Sequence, residues 1–227
     1  MSKSPPTRTE KDPLGELQVP ADALYGVQTL RAVQNFPISG ITALPEFVVA
    51  TVRIKKAAAL THRDTGRLEA RLADAIVQAA DEVLAGKHLE QFVVDVYQAG
   101  AGTSHNMNCN EVLANRANEI LGSERGKYAP VHPNDHVNMA QSTNDVIPTA
   151  IRLACLAQLE SLVGAFSALA TALEAKGREF DDVLKSGRTH LQDAMPIRLG
   201  QEFTAYGGTL RRGVARVKES AEYLRDL

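Results

Sequence analysis

The feature that most constrains this chain is an apolar stripe near its carboxyl end. After Pro196, the residues Leu199, Phe203, Tyr206, Leu210, Val214, Val217, Ala221 and Leu224 follow one another at steps of three and four. The mean step lies close to the helical turn of about 3.6 residues, which puts them all on one face. A second stripe, Leu159, Leu162, Val163, Phe166, Leu169 and Leu173, predicts a helix that starts after Asp145 and ends near Ala175, before Gly177. Long helices with one apolar face each need partners, so the pattern predicts a helical bundle. The last helix also lacks a stop: Tyr223-Leu224-Arg225-Asp226-Leu227 holds no Gly, Asn or Pro to cap it. Its stripe asks for helices beyond these 227 residues, and the expectation is a piece of a longer product.

Upstream, helical periodicity begins near Pro45-Glu46 with Val49, Val52, Ile54 and Ala57–Leu60. A further helix is predicted over 67–85, where Leu68, Leu72, Ile76, Ala79, Val83 and Leu84 recur before a stop at Gly86. Residues 1–45 are rich in turn signals (Pro5-Pro6, Asp12-Pro13, Pro20, Pro37, Gly40), which predicts a disordered start over 1–10 and then an extended lead-in. Period-two apolar alternation is hard to find, so the fold class is mostly α.

Composition removes several functions. A net charge of −2 and a pI near 6.3 argue against a nucleic-acid partner, which needs clustered cations. They leave an anionic substrate open, since such a ligand answers to the local field of a cleft. Aromatics at 5% with no Trp speak against stacking on bases or sugars. Cys109 and Cys155 form no CxxC pair, which points away from a disulfide framework or zinc ribbon and towards a reducing cytoplasm. The opening MSKSPPTRTEKD has no apolar core of a signal peptide, and no uninterrupted run of apolar residues reaches membrane-spanning length, so no membrane partner is expected.

Three polar segments are out of place in a purely structural helical protein. They are Gly102-Thr103-Ser104-His105-Asn106-Met107-Asn108, then His132-Pro133-Asn134-Asp135-His136-Val137-Asn138 leading into Gln141-Ser142-Thr143-Asn144-Asp145, and Gly187-Arg188-Thr189-His190-Leu191-Gln192-Asp193. Each is expected at the start of a long helix, where free N–H groups and the positive dipole end suit a carboxylate. Each taken alone has a plainer reading: Ser, Thr, Asn and Asp at helix starts are usually N-caps, and a lone histidine is usually a surface or core residue. His132 and His136 sit four apart, but Pro133 intervenes and no third ligand is evident, which speaks against a metal site.

Together, however, these segments resemble the signature segments of the aspartase/fumarase superfamily. QAGAGTSHNMNCNEVLANRANEIL at 98–121 is similar to the first signature, and HPNDHVNMAQSTNDVIPT at 132–149 to the second. GRTHLQDAMPIRLGQEF at 187–203 is similar to the segment before a central-bundle helix. The resemblance covers nearly the whole chain from about residue 8. Ala-Gly-Ala-Gly-Thr-Ser at 99–104 and Ser142-Thr143-Asn144 lean to the aspartase branch, which eliminates ammonia from aspartate to give fumarate. GRTH, with His190, occurs both in that branch and in class II fumarases, which hydrate fumarate to malate, and some aspartases have Gln in place of His190.

The resemblance implies an N-terminal lyase domain over 1–141 and, over 142–227, the first long helices of a central helical bundle that these residues leave incomplete. It implies a small dicarboxylate substrate held by Thr103, Ser142, Thr143, Asn144, Thr189 and His190, with Thr189 and His190 in the catalytic group. It implies no required cofactor, beyond a divalent activator that the sequence cannot locate, and a homotetramer with active sites shared between subunits. The family's catalytic serine loop, of the form G-S-S-x-M-P-x-K-x-N-P, does not occur in these residues, so the chain alone is expected to be inactive. The rival readings are a fumarase, a non-catalytic helical scaffold and a helical partner-binding module.

Overall fold

A computed structural model describes residues 6–226. In chain order it holds a hairpin of β1 (Thr7–Asp12) and β2 (Gly15–Pro20), helices α1 (Val27–Asn35), α2 (Pro45–Asp64), α3 (Ala70–Leu84) and α4 (Thr103–Ile120), and the long α5 (Thr143–Glu179). A second hairpin of β3 (Leu184–Thr189) and β4 (Gln192–Arg198) leads into α6 (Leu199–Glu222). The chain divides into two compact units, Met1–Ala154 and Cys155–Leu227. The 141/142 boundary expected from the sequence marks the start of α5, whereas the units part within that helix.

The core of the first unit forms where α3 lies between α2 and α4. Leu72, Ala73, Ile76, Ala79, Ala80 and Val83 of α3 meet Val48, Val52 and Ala59 of α2 and Val112, Leu113, Ala114 and Ala117 of α4. The small alanines on the α3 face let the backbones approach closely, while burying Ile76, Val52 and Leu113 completely is worth about 1.5–3 kcal/mol each.

Helix α4 is buried nearly all round, and its polar residues stitch the loops to it. The Asn118 carboxamide exchanges hydrogen bonds with the N–H and carbonyl of Val131, both at 2.8 Å. Asn115 Nδ2 donates to the Leu24 carbonyl at 2.8 Å, and Asn108 Nδ2 to that of Gln91 at 2.9 Å. The fully buried Glu111 accepts the N–H groups of Gly26, Gln28 and Thr29 at 2.9–3.0 Å, closing the start of α1 with a carboxylate.

In the second unit the carboxyl half of α5 packs on α6 through glycine. A Cβ at Gly200 would lie 2.2 Å from the Gly177 carbonyl oxygen, and one at Gly177 would lie 2.4 Å from Thr204 Oγ1. This close approach explains why α5 passes through Gly177 instead of ending near Ala175. Phe180 and Phe203 meet nearby, their rings tilted by 58° with centroids 5.5 Å apart. Much of the apolar stripe is left uncovered: Leu162 is 41% exposed, Leu169 49% and Tyr206 55%. One window of α5 has mean hydropathy 1.6 and is only 6% buried, so by length and composition this helix could cross a membrane. Gln158, Glu160 and Ser161 interrupt its apolar run, which is why no continuous span of that length is legible in the sequence.

Three expectations are corrected. Thr7–Asp12 is a strand, so the disordered start expected over 1–10 does not extend to residues 7–10; residues 1–5 lie outside the described part. The turn-rich lead-in also contains the nine-residue α1. Two hairpins exist where no alternation was legible: Glu10 is the buried residue of β1 and Gly187 that of β3, and β2 fully buries only one residue, Val19.

Candidate active site

In the first unit two of the three polar segments come together at helix starts. Gly102, at φ 78°, caps the start of α4 and packs against the first turns of α5: a Cβ there would sit 2.9 Å from Ile147 Cγ1. The left-handed φ and this contact both call for glycine. One turn into α4, Asn106 Nδ2 donates to Thr143 Oγ1 at 3.1 Å, joining the start of α5 to that of α4. Ser142 is the N-cap of α5: its carbonyl accepts Val146 N–H at 3.0 Å and its Oγ accepts Asn144 N–H at 3.1 Å. The plain capping role therefore holds for Ser142. Further along, Pro148 has no N–H to give the carbonyl of Asn144. Thr103, Ser142 and Asn144 are exposed at the surface of the unit, and Thr143 is half-buried.

Behind Thr143 lies a buried polar network. Lys55 of α2, fully buried, donates through Nζ to Asn138 Oδ1 at 2.8 Å and to Gln141 Oε1 at 3.0 Å. Asn138 Oδ1 also accepts from Asn106 Nδ2 at 3.2 Å, and Asn138 Nδ2 donates to the Gln141 carbonyl at 3.0 Å. Burial pushes the Lys55 ammonium down to about 8, so it is still charged at neutral pH. His105 is stacked on Phe47 at 4.6 Å, with Nε2 3.1 Å from Thr51 Oγ1. Burial, and then the Lys55 charge, hold it down at about 4 and hence neutral. Burial pushes the Cys109 thiol up to about 12.

The third segment differs from the expectation of a helix start. Thr189 and His190 belong to the second unit and sit at the tip of the β3–β4 hairpin. Thr189 pairs with Gln192, and the two-residue turn holds His190 at φ 48° and Leu191 at φ 60°. Both are left-handed and neither is glycine, which is a strained way to build this tight turn. Thr189, His190 and the 92%-exposed Leu191 face solvent.

Sequence reasoning missed Lys55, Asn106 and Asn138 as parts of the site. One signal was available: Lys55 occupies the same stripe as Val48, Val52, Ala59 and His62, a charge on the core face of α2.

A family model described as a lyase matches residues 15–226, and the chain belongs to that family, within the aspartase/fumarase superfamily. It is 54% identical to the aspartate ammonia-lyase of Bacillus subtilis over 217 residues, 96% of this chain and 46% of that protein. It is 56% identical to the class II fumarate hydratase of Halobacterium salinarum over 221 residues, 97% of this chain and 47% of that protein. Among solved structures, a fumarate lyase:delta crystallin from Brucella melitensis superposes with a TM-score of 0.92 at 53% identity, covering 98% of this chain and 52% of that one. The chain thus spans about half the length of the relatives it matches.

Proposed function

We propose that this chain supplies part of the active site of an ammonia-lyase that converts aspartate reversibly to fumarate. The observation that carries the reading is the meeting of the α4 and α5 starts, with Thr143 tied to Asn106 and Gly102 seated on Ile147. Helix starts presenting hydroxyl and amide donors suit a small dicarboxylate. In the proposed complete site, Thr103, Ser142, Thr143 and Asn144 hold substrate carboxylates, and Thr189 and His190 join them. A base removes the proton from Cβ and the electron pair moves into the adjoining carboxylate, giving a dianionic aci-carboxylate. The pair then returns to form the Cα–Cβ double bond as the C–N bond breaks and ammonia leaves. The Cβ proton is only weakly acidic, so fixed donors aimed at the developing charge supply most of the catalysis. His190 acts beside a carboxylate or the leaving amine. The base is the serine of the family's mobile loop, whose motif these residues do not contain.

The complete enzyme is proposed to be a homotetramer with shared sites, in which partner helices cover the exposed stripes of α5 and α6. This is supported by the exposure of Leu162, Leu169 and Tyr206. No cofactor enters this mechanism, and a divalent activator is left open. A fumarase is the second reading, favoured by the 56% identity to the Halobacterium salinarum relative and by His190.

The test joins this chain to the complementary half of the Bacillus subtilis aspartate ammonia-lyase and, separately, of a class II fumarase. Fumarate absorbance is then followed with aspartate and with malate. Ammonia release from aspartate by the first assembly is the expected result. Malate dehydration by both assemblies without aspartate turnover would transfer the assignment to fumarase. Dicarboxylate binding without turnover of either substrate would remove the enzyme reading.

A further inference from the structure

We infer that Asn106 is a positioning residue for the proposed lyase reaction, and that it holds Thr143 as a hydrogen-bond donor through a one-way chain anchored at Lys55. The inference rests on the reading that Thr143 contacts the substrate.

The direction of the chain follows from what each group can do. An ammonium only donates, so Lys55 Nζ at 2.8 Å fixes the oxygen of the Asn138 carboxamide towards itself. Asn138 Nδ2, donating to the Gln141 carbonyl, agrees with that orientation. Gln141 is set the same way: Oε1 accepts from Lys55 and Nε2 donates to the Val137 carbonyl at 2.9 Å. Asn138 Oδ1 is then an acceptor on its other side, so Asn106 must face it with Nδ2, at 3.2 Å. The reverse orientation of the Asn106 amide would set two carbonyl oxygens face to face. The same Nδ2 carries a second proton, which goes to Thr143 Oγ1 at 3.1 Å. Thr143 thus accepts from inside the protein, and its own proton is left for an acceptor outside, such as a substrate carboxylate. The arrangement carries a visible cost, since Asn106 Oδ1 is buried without a hydrogen-bond partner among the described residues. One orphaned acceptor is tolerated where the donor must face Thr143.

The test uses the assembled enzyme described above, with Asn106→Asp, Thr143→Val and the double variant. Asn106→Asp keeps the size of the side chain, removes the donor and invites the Thr143 proton inward. It is expected to lower kcat about 10²-fold, like loss of a single transition-state donor, with KM changed less than kcat. In the Thr143→Val background the same change is expected to lower kcat less than about threefold, because the donor it controls has gone. A merely structural role would give equal losses in both backgrounds, and that result overturns the inference. Full kcat in Asn106→Asp beside an impaired Thr143→Val also overturns it, while leaving the role of Thr143 intact. Full activity in Thr143→Val would instead overturn the underlying site reading. If Asn106→Asp does not fold, Asn106→Ser takes its place with the same expectations, because the shorter hydroxyl cannot bridge Asn138 and Thr143.

Discussion

Lys55, His105 and Cys109 are buried in one region of the first unit, and each is held away from its ordinary titration range. His105 stays neutral down to about pH 4, while an unfolded histidine takes up its proton near 6.5. Between those values the unfolded chain binds the extra proton, so stability is lost as pH falls from 6.5 towards 4. Glu82 and Asp95, each held down at about 2, add to that loss only as pH falls through the ordinary carboxylate range towards 2. Urea midpoints between pH 6.5 and 4.5 should therefore fall in the parent chain and stay nearly level in His105→Gln. Lys55 works in the opposite pH range. From about pH 8 the folded chain has released a proton that the unfolded chain keeps up to about 10.5, so stability rises with pH above 8. Cys109 cancels this from about pH 9, because the folded thiol then holds a proton that the unfolded one has lost. A rise from pH 8 to 9 and a plateau from there to about 10.5 are expected, and in Cys109→Ala the rise should continue towards pH 10. For Thr143, replacement by Val is expected to lower kcat of the assembled enzyme about 10²-fold or more, checked by steady-state kinetics.

At the scale of elements, Glu111 joins α1 to α4 through three N–H groups and also accepts from Tyr128 Oη at 3.2 Å. Glu111→Gln turns one acceptor into a donor facing those N–H groups. It should cost about 2 kcal/mol, read as a thermal midpoint lower by about 4–8 °C. In the second unit Gly200→Ala places a methyl against the Gly177 carbonyl and should destabilise the α5–α6 packing by about 1–3 kcal/mol, measured by urea unfolding. The elements legible in sequence were those with an apolar stripe: α2 and α6 start, and α3 starts and ends, close to their expected limits. The length of α5 was misjudged because Gly177, an ordinary helix stop, serves close packing here. The hairpins and α1 escaped notice because they are short and their few buried apolar residues, Val19, Val27 and Ala32, alternate with buried Glu10, Thr29 and Gly187 instead of forming a stripe.

On the scale of the whole molecule, the uncovered faces of α5 and α6 and the half-length match to full relatives belong together. The chain by itself is expected to give no fumarate from aspartate, and an absorbance assay at high protein concentration checks this. Within the candidate site, the signature residues Thr103, Ser142, Thr143 and Asn144 were legible from their neighbours in the chain. The group of Lys55, Asn106 and Asn138 behind them was not.

The division has a physical cause. Helical stripes, caps and family signatures are local in the chain, so the residues alone determined the mostly helical class and the superfamily. Hydrogen-bond direction is not local: Asn106 meets Thr143 across 37 residues, and Lys55 meets Asn138 across 83. Only the packing of α2, α4 and the start of α5 decided which of these groups donate, and only the pairing of β3 with β4 put Thr189 and His190 at a hairpin tip instead of a helix start.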